Sequence, residues 1–469
     1  LEAAAERRLH PTLAALRRLP EVLAEEPAEL TLTVVDGHCT QVEAGPPNGP
    51  LVGFALDIGT TTVVLYLLDL VSGAELAHAA MLNPQVAYGD DVIARIHHAG
   101  VDPKGLEHLN REIRRAVDEL LKKACTEAEV LPATVARGTV VGNATMTHLF
   151  CGINPRGLGI APFAPITHES LTLPGHEFGL RAAPEAVVTV LPNIAGFLGS
   201  DTVGVMLAAM AHPQGTCLAV DIGTNGEMVL YHQGRWFGCS AAAGPAFEGA
   251  RIGCGMRGAA GAISRVDLVD GEPELAVIDG QQPRGLCGSG LLDSIAVLLN
   301  SGALDDTGRL VDGDELPATW QARLSGEGPD RRFLLAEQQA SATGEALYLT
   351  AGDIREVQLA KGSIRASIEA LLARAGVTCD EVETVYLAGG FGSYLRVESA
   401  IRIGLLPPFD PARVKAVGNG AGAGARLALV SQEERALAEE LARRVEVLYL
   451  ANDLVYQMQF MEQMVFPES

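Results

Sequence analysis

Two short segments of this sequence combine an acid, glycine and hydroxyl residues in a pattern suited to phosphate chemistry. Asp57-Ile-Gly-Thr-Thr-Thr62 is one, and Asp221-Ile-Gly-Thr-Asn-Gly-Glu227, 164 residues later, is the other. Each follows an apolar run, Leu51 to Leu56 or Cys217 to Val220. Each leads into a second apolar run, Val63 to Leu68 or Met228 to Tyr231. A strand, a tight turn and a returning strand make a hairpin whose turn presents backbone N–H groups and hydroxyls. Such a nest suits phosphate oxygens. In the first turn the candidates are Gly59, Thr60, Thr61 and Thr62; in the second they are Gly223, Thr224, Asn225 and Gly226. Asp57 and Asp221, at the strand ends, suit Mg2+, directly or through water, and are the candidate catalytic residues, one of them placed to orient a water that attacks phosphate. Either loop alone also reads as an ordinary hairpin turn carrying an acid. The repetition behind two buried strands is what favours phosphate.

Three glycine-rich connectors extend the pattern. Gly389, Gly390 and Gly392 follow the apolar run Val385 to Ala388. A Cβ there would collide with a flat base or a ribose, although an ordinary strand-to-helix turn has the same composition. Gly142-Asn143 and Gly418-Asn419 each join a buried strand to a helix of small residues. They read as equivalent places in two halves, and as hinges, because small residues tolerate shear.

The elements that must position these residues recur in the same order. After the first hairpin comes a strand over Glu75 to Leu82, then a helix opened by Asp90 and Asp91, whose charge suits the helix dipole. Leu109, Ile113, Val117, Leu120 and Leu121 mark an amphipathic helix over 106–124. A buried strand at 139–141 precedes a helix from about Thr145, and residues 152–200 read as loops with short strands. The second half repeats the scheme with a strand over Arg235 to Ser240, a helix through Leu299, and a long helix capped by Asp353 and ended by Gly376. Residues 303–340 read as a surface excursion. Residues 1–50 differ: a short helix broken at Pro20, a strand over Leu30 to Val35, an Asp36-Gly37 turn and a linker at 44–50. Strand meander first and helices after, twice over, gives a duplicated α/β core with one cleft between the halves as the expected ligand site. The implied division is 1–50, 51–212 and 213–469.

Composition narrows the function classes. The chain has 469 residues, 48% apolar, and a net charge of −23 from 35 basic and 58 acidic side chains. That balance argues against nucleic acid, whose affinity comes from neutralised phosphates, and against an anionic membrane surface. No run of 18 apolar residues spans a bilayer. The first residues lack an initiator Met and a signal-peptide core, which reads as a fragment of something longer. The eight cysteines are scattered, with no C-x-x-C, so local spacing encodes neither a zinc site nor an iron–sulfur cluster. They read as reduced core residues of a cytoplasmic protein, Cys254 and Cys287 included.

The paired D-I-G-T loops, the late G-G-x-G and the glycine connectors resemble the ASKHA superfamily of acetate and sugar kinases, chaperone ATPases and actin. That implies a duplicated actin-like, ribonuclease H-like fold. Longer motifs narrow it: Asn83-Pro-Gln-x-x-Tyr-Gly-Asp-Asp-Val-Ile, Ala243-Gly-Pro-Ala-Phe-Glu-Gly, Gly253-Cys-Gly-Met-Arg, Leu286-Cys-Gly-Ser-Gly-Leu, Asp353-Ile-Arg-x-x-Gln-Leu-Ala-Lys361 and Glu398-Ser-Ala-Ile-Arg-Ile-Gly-Leu-Leu-Pro407. Over about 51–469 these resemble the reductive activators of corrinoid proteins, with the preceding segment similar to the tail of their middle domain. The resemblance implies ATP with Mg2+, reduction of a Co(II) corrinoid (cobalamin) to Co(I) on a partner protein of a methyltransferase system, and an electron from a two-iron two-sulfur cluster in a ferredoxin-like N-terminal domain. That domain's clustered cysteines are missing here, so this chain is expected to be the ATPase and partner-docking part. It further implies Asp57, Gly59, Thr60, Thr61 and Thr62 as the first phosphate loop. Asp221, Gly223, Thr224, Asn225 and Gly226 would form the second, with Gly389, Gly390 and Gly392 facing adenosine. A homodimer is suggested, though no heptad seam is legible. An acetate or sugar kinase, a nucleotide-gated scaffold and an activator of radical dehydratases are the other readings.

Overall fold

The structure is a computed structural model and describes residues 9–47, 49–182, 186–312, 316–392 and 394–468. The first eight residues, Asn48 of the expected linker and Ser393 of the glycine turn lie outside the described residues. The chain divides into two compact units, 1–208 with 420–443, and 209–419 with 444–469. No helix among the described residues is long and apolar enough to cross a membrane.

The first unit begins with α1 (Leu13–Ala24) and a hairpin of Leu30–Val35 and His38–Ala44. Asp36 and Gly37 both have positive φ, which suits a tight two-residue turn. Pro20 does not break α1; the helix runs through it and gives up one backbone hydrogen bond there. The main sheet contains β1 (Val52–Ile58), β2 (Thr62–Asp69), β3 (Glu75–Leu82), β4 (Val135–Gly142), β5 (Leu171–Pro174) and β6 (Val187–Val190). Its order is β3-β2-β1-β4-β6-β5. The β1-β2-β3 meander is antiparallel, whereas β4 runs parallel to β1 and β6 parallel to β4. Every residue of β4 is buried, as a central parallel strand requires. Helix α2 (Val92–Val101) is capped by Asp91, which accepts from the Ala94 N–H. Helix α3 (Gly105–Glu127) buries Leu109, Ile113, Val117, Leu120 and Leu121 and packs on β2 and β3. Helices α4 (Ala144–Cys151) and α5 (Ser200–Met210) complete this part.

The second unit repeats the plan with β7 (Cys217–Ile222), β8 (Gly226–His232), β9 (Arg235–Ala241), β10 (Thr384–Ala388), β11 (Val414–Gly418) and β12 (Val445–Val447). The order is β11-β10-β7-β8-β9-β12. Again three antiparallel strands are followed by two parallel ones, β10 beside β7 and β11 beside β10. Strand β10 therefore corresponds to β4, and β11 to β6. This corrects the expected equivalence of Gly142-Asn143 with Gly418-Asn419: the place matching Gly142-Asn143 is Gly389-Gly390. Both earlier segments follow parallel strands, but not the same parallel strand.

Helix α6 (Gly288–Asn300) is buried along nearly its whole length, and α7 (Ala351–Ala375) packs on β8 and β9. The cap of α7 is Thr350, not Asp353. Asp353 is the third helical residue and returns a bond to the Thr350 N–H, completing a capping box. The supposed excursion at 303–340 is part of the core: Leu304, Leu310, Trp320, Phe333 and Leu335 are buried in the cluster with α7. Its apolar residues are spread among turns, so no period announces them. A single helical turn, α8 (Gly389–Gly392), follows β10.

Helix α9 (Gly420–Val430) and helix α10 (Gln432–Arg444) come next, and α9 packs on β1 and β4 of the first unit. The Gly-Ala-Gly-Ala-Gly run of α9 has a steric reason. A Cβ at Gly424 would lie 2.0 Å from the Gly204 carbonyl oxygen on α5. The two helices cross at backbone contact, which larger residues would block.

Helix α11 (Leu454–Glu462) packs on α7, and the chain end then buries Phe466. Lys361 of α7 is fully buried; its Nζ donates to the Val465 carbonyl at 2.5 Å and lies 5.0 Å from the Phe466 ring centre. Burial, with Arg365 adding to it, lowers the ammonium to about 7. The folded value lies below the unfolded one, so the native chain binds this proton less tightly. Its contribution to stability is whole above the unfolded value and is lost as pH falls through about 7. Wild type should therefore gain roughly 2–4 kcal/mol relative to Lys361→Met between about pH 7 and 10. Urea unfolding of both proteins across that range is the measurement; parallel curves would contradict the assignment.

Candidate functional site

The first loop is held from behind. Gly59 N–H closes the turn on Thr62 O at 3.0 Å. The three carbonyls of the turn each accept a bond from Asn83, just after β3, or from Arg95 on α2. Asn83 Nδ2 donates to Gly59 O at 2.9 Å, Arg95 Nη2 to Thr60 O at 2.6 Å, and the Asn83 N–H to Thr61 O at 2.9 Å. Asn83, Gln85 and Arg95 are all fully buried. Arg95 Nε also donates to Gly89 O at 2.9 Å, and Gln85 Nε2 to Leu109 O at 2.9 Å, which ties the network to α3. Burial lowers the guanidinium to about 10, while Asp91 and Asp90 oppose that shift, so it stays charged at neutral pH. The Asn83-Pro-Gln motif is thus the foundation of the first loop. Arg95 was missed by the sequence reading; a lone Arg between Ile93 and Ile96 was its only signal.

The β4–α4 connector meets the same loop. Asn143 caps α4 through its side-chain oxygen, which accepts from the Met146 N–H, and its Nδ2 donates to Thr60 Oγ1 at 3.0 Å. The amide side chain does both at once, its oxygen accepting and its nitrogen donating. Ser200 Oγ accepts from Gly142 N–H and donates to Gly142 O, each at 3.1 Å, which fixes the start of α5 beside that connector. Asp201 follows, in the first turn of α5. Burial raises its carboxyl to about 6, against hydrogen bonds from the Thr202 N–H and hydroxyl. The first unit therefore brings together half-buried Asp57, Gly59, Thr60, Thr61, exposed Thr62, Gly142 and Asn143, and adds Asp201. Nothing in the sequence pattern distinguished Asp201, whose raised pKa depends on burial.

The second unit builds a parallel arrangement with other residues. Gly223 N–H closes its turn on Asn225 O at 3.0 Å. Thr224 Oγ1 donates to a Glu248 carboxylate oxygen, so the Ala243-Gly-Pro-Ala-Phe-Glu segment braces this turn. Asp221 pairs in register with Ala388 at the ends of β7 and β10. Gly389, next along, has φ +89°, and a Cβ there would lie 2.6 Å from Asp221 Oδ1 and 2.8 Å from Ile222 O. Glycine is needed there for backbone conformation and for space around the Asp221 carboxylate. Gly390 is exposed and open, while Gly392 is buried against Leu387. Gly392 thus serves packing. Asp353 Oδ1 accepts from the Gly253 N–H at 2.7 Å, which fastens the Gly253-Cys-Gly segment to α7.

The eight cysteines are free thiols. Cys254 Sγ donates to Tyr348 O at 3.2 Å, and burial, then Asp353, pushes the thiol up to about 11. Such a thiol stays protonated at neutral pH and is a poor nucleophile and ligand. No group of three ligand-type residues containing a cysteine exists among the described residues. The thiols do not fit an iron–sulfur cluster.

Family and structural comparisons place these features among known proteins. The model for the C-terminal domain of RACo, the ASKHA domain, matches residues 215–469, and the model for the RACo middle region matches residues 52–214. The corrinoid activation enzyme RamQ of Eubacterium limosum is 35% identical over 463 residues, which is 98% of this chain and 78% of that protein. The [Co(II) methylated amine-specific corrinoid protein] reductase of Methanosarcina barkeri is 24% identical over 433 residues, 85% of this chain and 74% of that one. A solved reductive activator for corrinoid, iron–sulfur protein matches with a TM-score of 0.90 at 34% identity, covering 100% of this chain and 75% of the other.

Two predictions follow from the loop geometry. Replacing Arg95 by Met strands the buried Thr60 carbonyl and the half-buried Gly89 carbonyl and should cost about 3 kcal/mol, measured by urea unfolding. For Asp201 the folded pKa lies above the unfolded one, so its contribution to stability is whole below about pH 4 and is lost as pH rises through 6. Asp201→Asn should therefore melt higher than wild type at pH 8, by roughly 2–3 kcal/mol in stability, with the gap closing toward about pH 4. Thermal melts across that range decide it.

Proposed function

The chain belongs to the reductive activators of corrinoid proteins, and from that premise we propose that it couples ATP–Mg2+ binding and hydrolysis to one-electron reduction of a partner's Co(II) corrinoid to Co(I). Its fold is the α/β ASKHA fold, with actin-like duplication. The observation that carries the reading is the repeated Asp/Gly/Thr turn at the end of a central strand in each sheet. In the first unit the turn is immobilised by buried donors. In the second, an obligatory glycine makes room beside the aspartate.

In this reading the two turns supply backbone N–H groups and hydroxyls to phosphate oxygens. Asp57 and Asp221 are the residues that would hold Mg2+, which would supply positive charge to offset that of the phosphates. Their residue types, half-buried position and glycine surroundings fit a hydrated hard cation. Hydrolysis proceeds by positioning and charge stabilisation, with no covalent enzyme intermediate. Asp201, desolvated and beside the first connector, is suited to orient or accept a proton from the attacking water. Gly390, which is open to solvent, is the glycine that would face the nucleoside. ATP shifts the protein's conformation only by binding one state more tightly than another. The electron comes from a donor other than these eight thiols.

Calorimetry with a non-hydrolysable ATP analogue and Mg2+ tests the site. Asp221→Ala should weaken binding at least tenfold, and equal binding would sink the assignment. The activity itself is read from the visible spectrum of a Co(II) corrinoid protein mixed with this chain and a low-potential reductant. Conversion to Co(I) should depend on ATP and fall with Asp221→Ala.

A further inference from the structure

His98, Asp102 and His108 converge where α2 hands over to α3, and none of them belongs to the turns described above. One ligand-type atom from each lies within 4.8 Å of the other two. The His98 and His108 rings are nearly parallel, 6.5 Å apart and 26° in tilt, and both lie against Tyr88, at 5.1 Å and 6.1 Å. His98 Nε2 is buried yet has no hydrogen-bond partner. A buried ring nitrogen with no partner is unfavourable unless something else binds it. The backbone fixes the carboxylate: the Asp102 N–H donates to His98 O at 3.1 Å, and Asp102 Oδ1 accepts from the Lys104 N–H at 2.8 Å. His108 sits on the next turn, its N–H donating to Lys104 O at 2.8 Å.

We propose that His98, Asp102 and His108 form a binding site for a divalent transition-metal ion of the zinc type. Two imidazoles and one carboxylate suit such a cation, whereas Mg2+ and Ca2+ prefer all-oxygen sites. Bonds of about 2.0–2.1 Å put tetrahedral donors about 3.3 Å apart. Donors already within 4.8 Å reach that spacing by small ring and carboxylate rotations. Three protein ligands leave the fourth position for water or another small ligand. That side has room, because a surface cavity of 670 Å³ is lined by Tyr88, Asp91, His97, His98, Val101 and Asp102. The ion would pin the last turn of α2 to the first turns of α3. Arg95, which grips Thr60 O, lies on α2 one turn before His98. Metal occupancy would thus set how firmly the helix bearing Arg95 is held.

The test is titration of the chelator-treated 469-residue chain with Zn2+ against a chromophoric competitor. One Zn2+ should bind per chain, and His98→Ala and His108→Gln should each weaken it at least tenfold. His78→Ala, in β3, should not. Absence of stoichiometric binding by wild type, or binding unchanged in both ligand variants, would overturn the site. Hydrogen exchange of wild type with and without Zn2+ gives a readout that needs no variant to fold. Slowed exchange confined to residues 88–108 supports the site, and protection elsewhere or nowhere rejects it.

Discussion

Both units depend on one constraint: a hairpin strand paired in parallel with a later strand at the middle of a sheet. Strands β1 and β7 are buried almost throughout, so their side chains serve packing. The polar groups that those strands leave to meet a ligand lie where they and their parallel partners stop. At those ends the backbone turns, its polar groups need partners, and helices begin. Asp57 and Asp221 stand at such ends, beside Gly142 and Gly389. The turns are similar because the strand pairing is similar, and they differ because each unit braces its turn with different neighbours. Arg95 and Asn83 brace one, and Glu248 the other.

This division explains what could be read in the residues. The strands of both meanders, the amphipathic α3 and the turn at Asp36-Gly37 followed from periodicity and turn chemistry, because those signals are local. Pro20 and Asp353 misled through the same locality. Pro20 is a helix breaker only where the missing bond decides the outcome, and Asp353 resembles a cap when Thr350 is overlooked. The core residues of 303–340 are spread among turns, so tertiary packing alone gathers them. The correspondence of Gly142 with Gly389 was hidden for a related reason: strand order across a sheet is a long-range property. Asp201 and Arg95 matter through burial, which one sequence does not display.

The chemistry of the turns and the chemistry of the thiols point in different directions, and that separation is informative. Polar groups cluster around the first turn with matched donors and acceptors. The cysteines are dispersed through the fold, and the most suggestive, Cys254, is held as a neutral thiol by its surroundings. The groups gathered at the turns are hydrogen-bonding ones; among the described residues no cysteine joins a group of metal ligands. A protein that gates an electron need not carry it, provided its conformation governs the meeting of donor and acceptor.

The route of the chain has a consequence for how the molecule is made. Helix α9 packs on β1 and β4, strands that leave the ribosome several hundred residues earlier. Until Gly420 to Val430 emerge, those strands lack one of their covering elements, and the backbone groove at Gly204 stays open. The first unit to be started is therefore completed only after most of the second has been made. Translation order and folding order are out of step, so a nascent chain stalled before α9 would present an apolar sheet surface to chaperones.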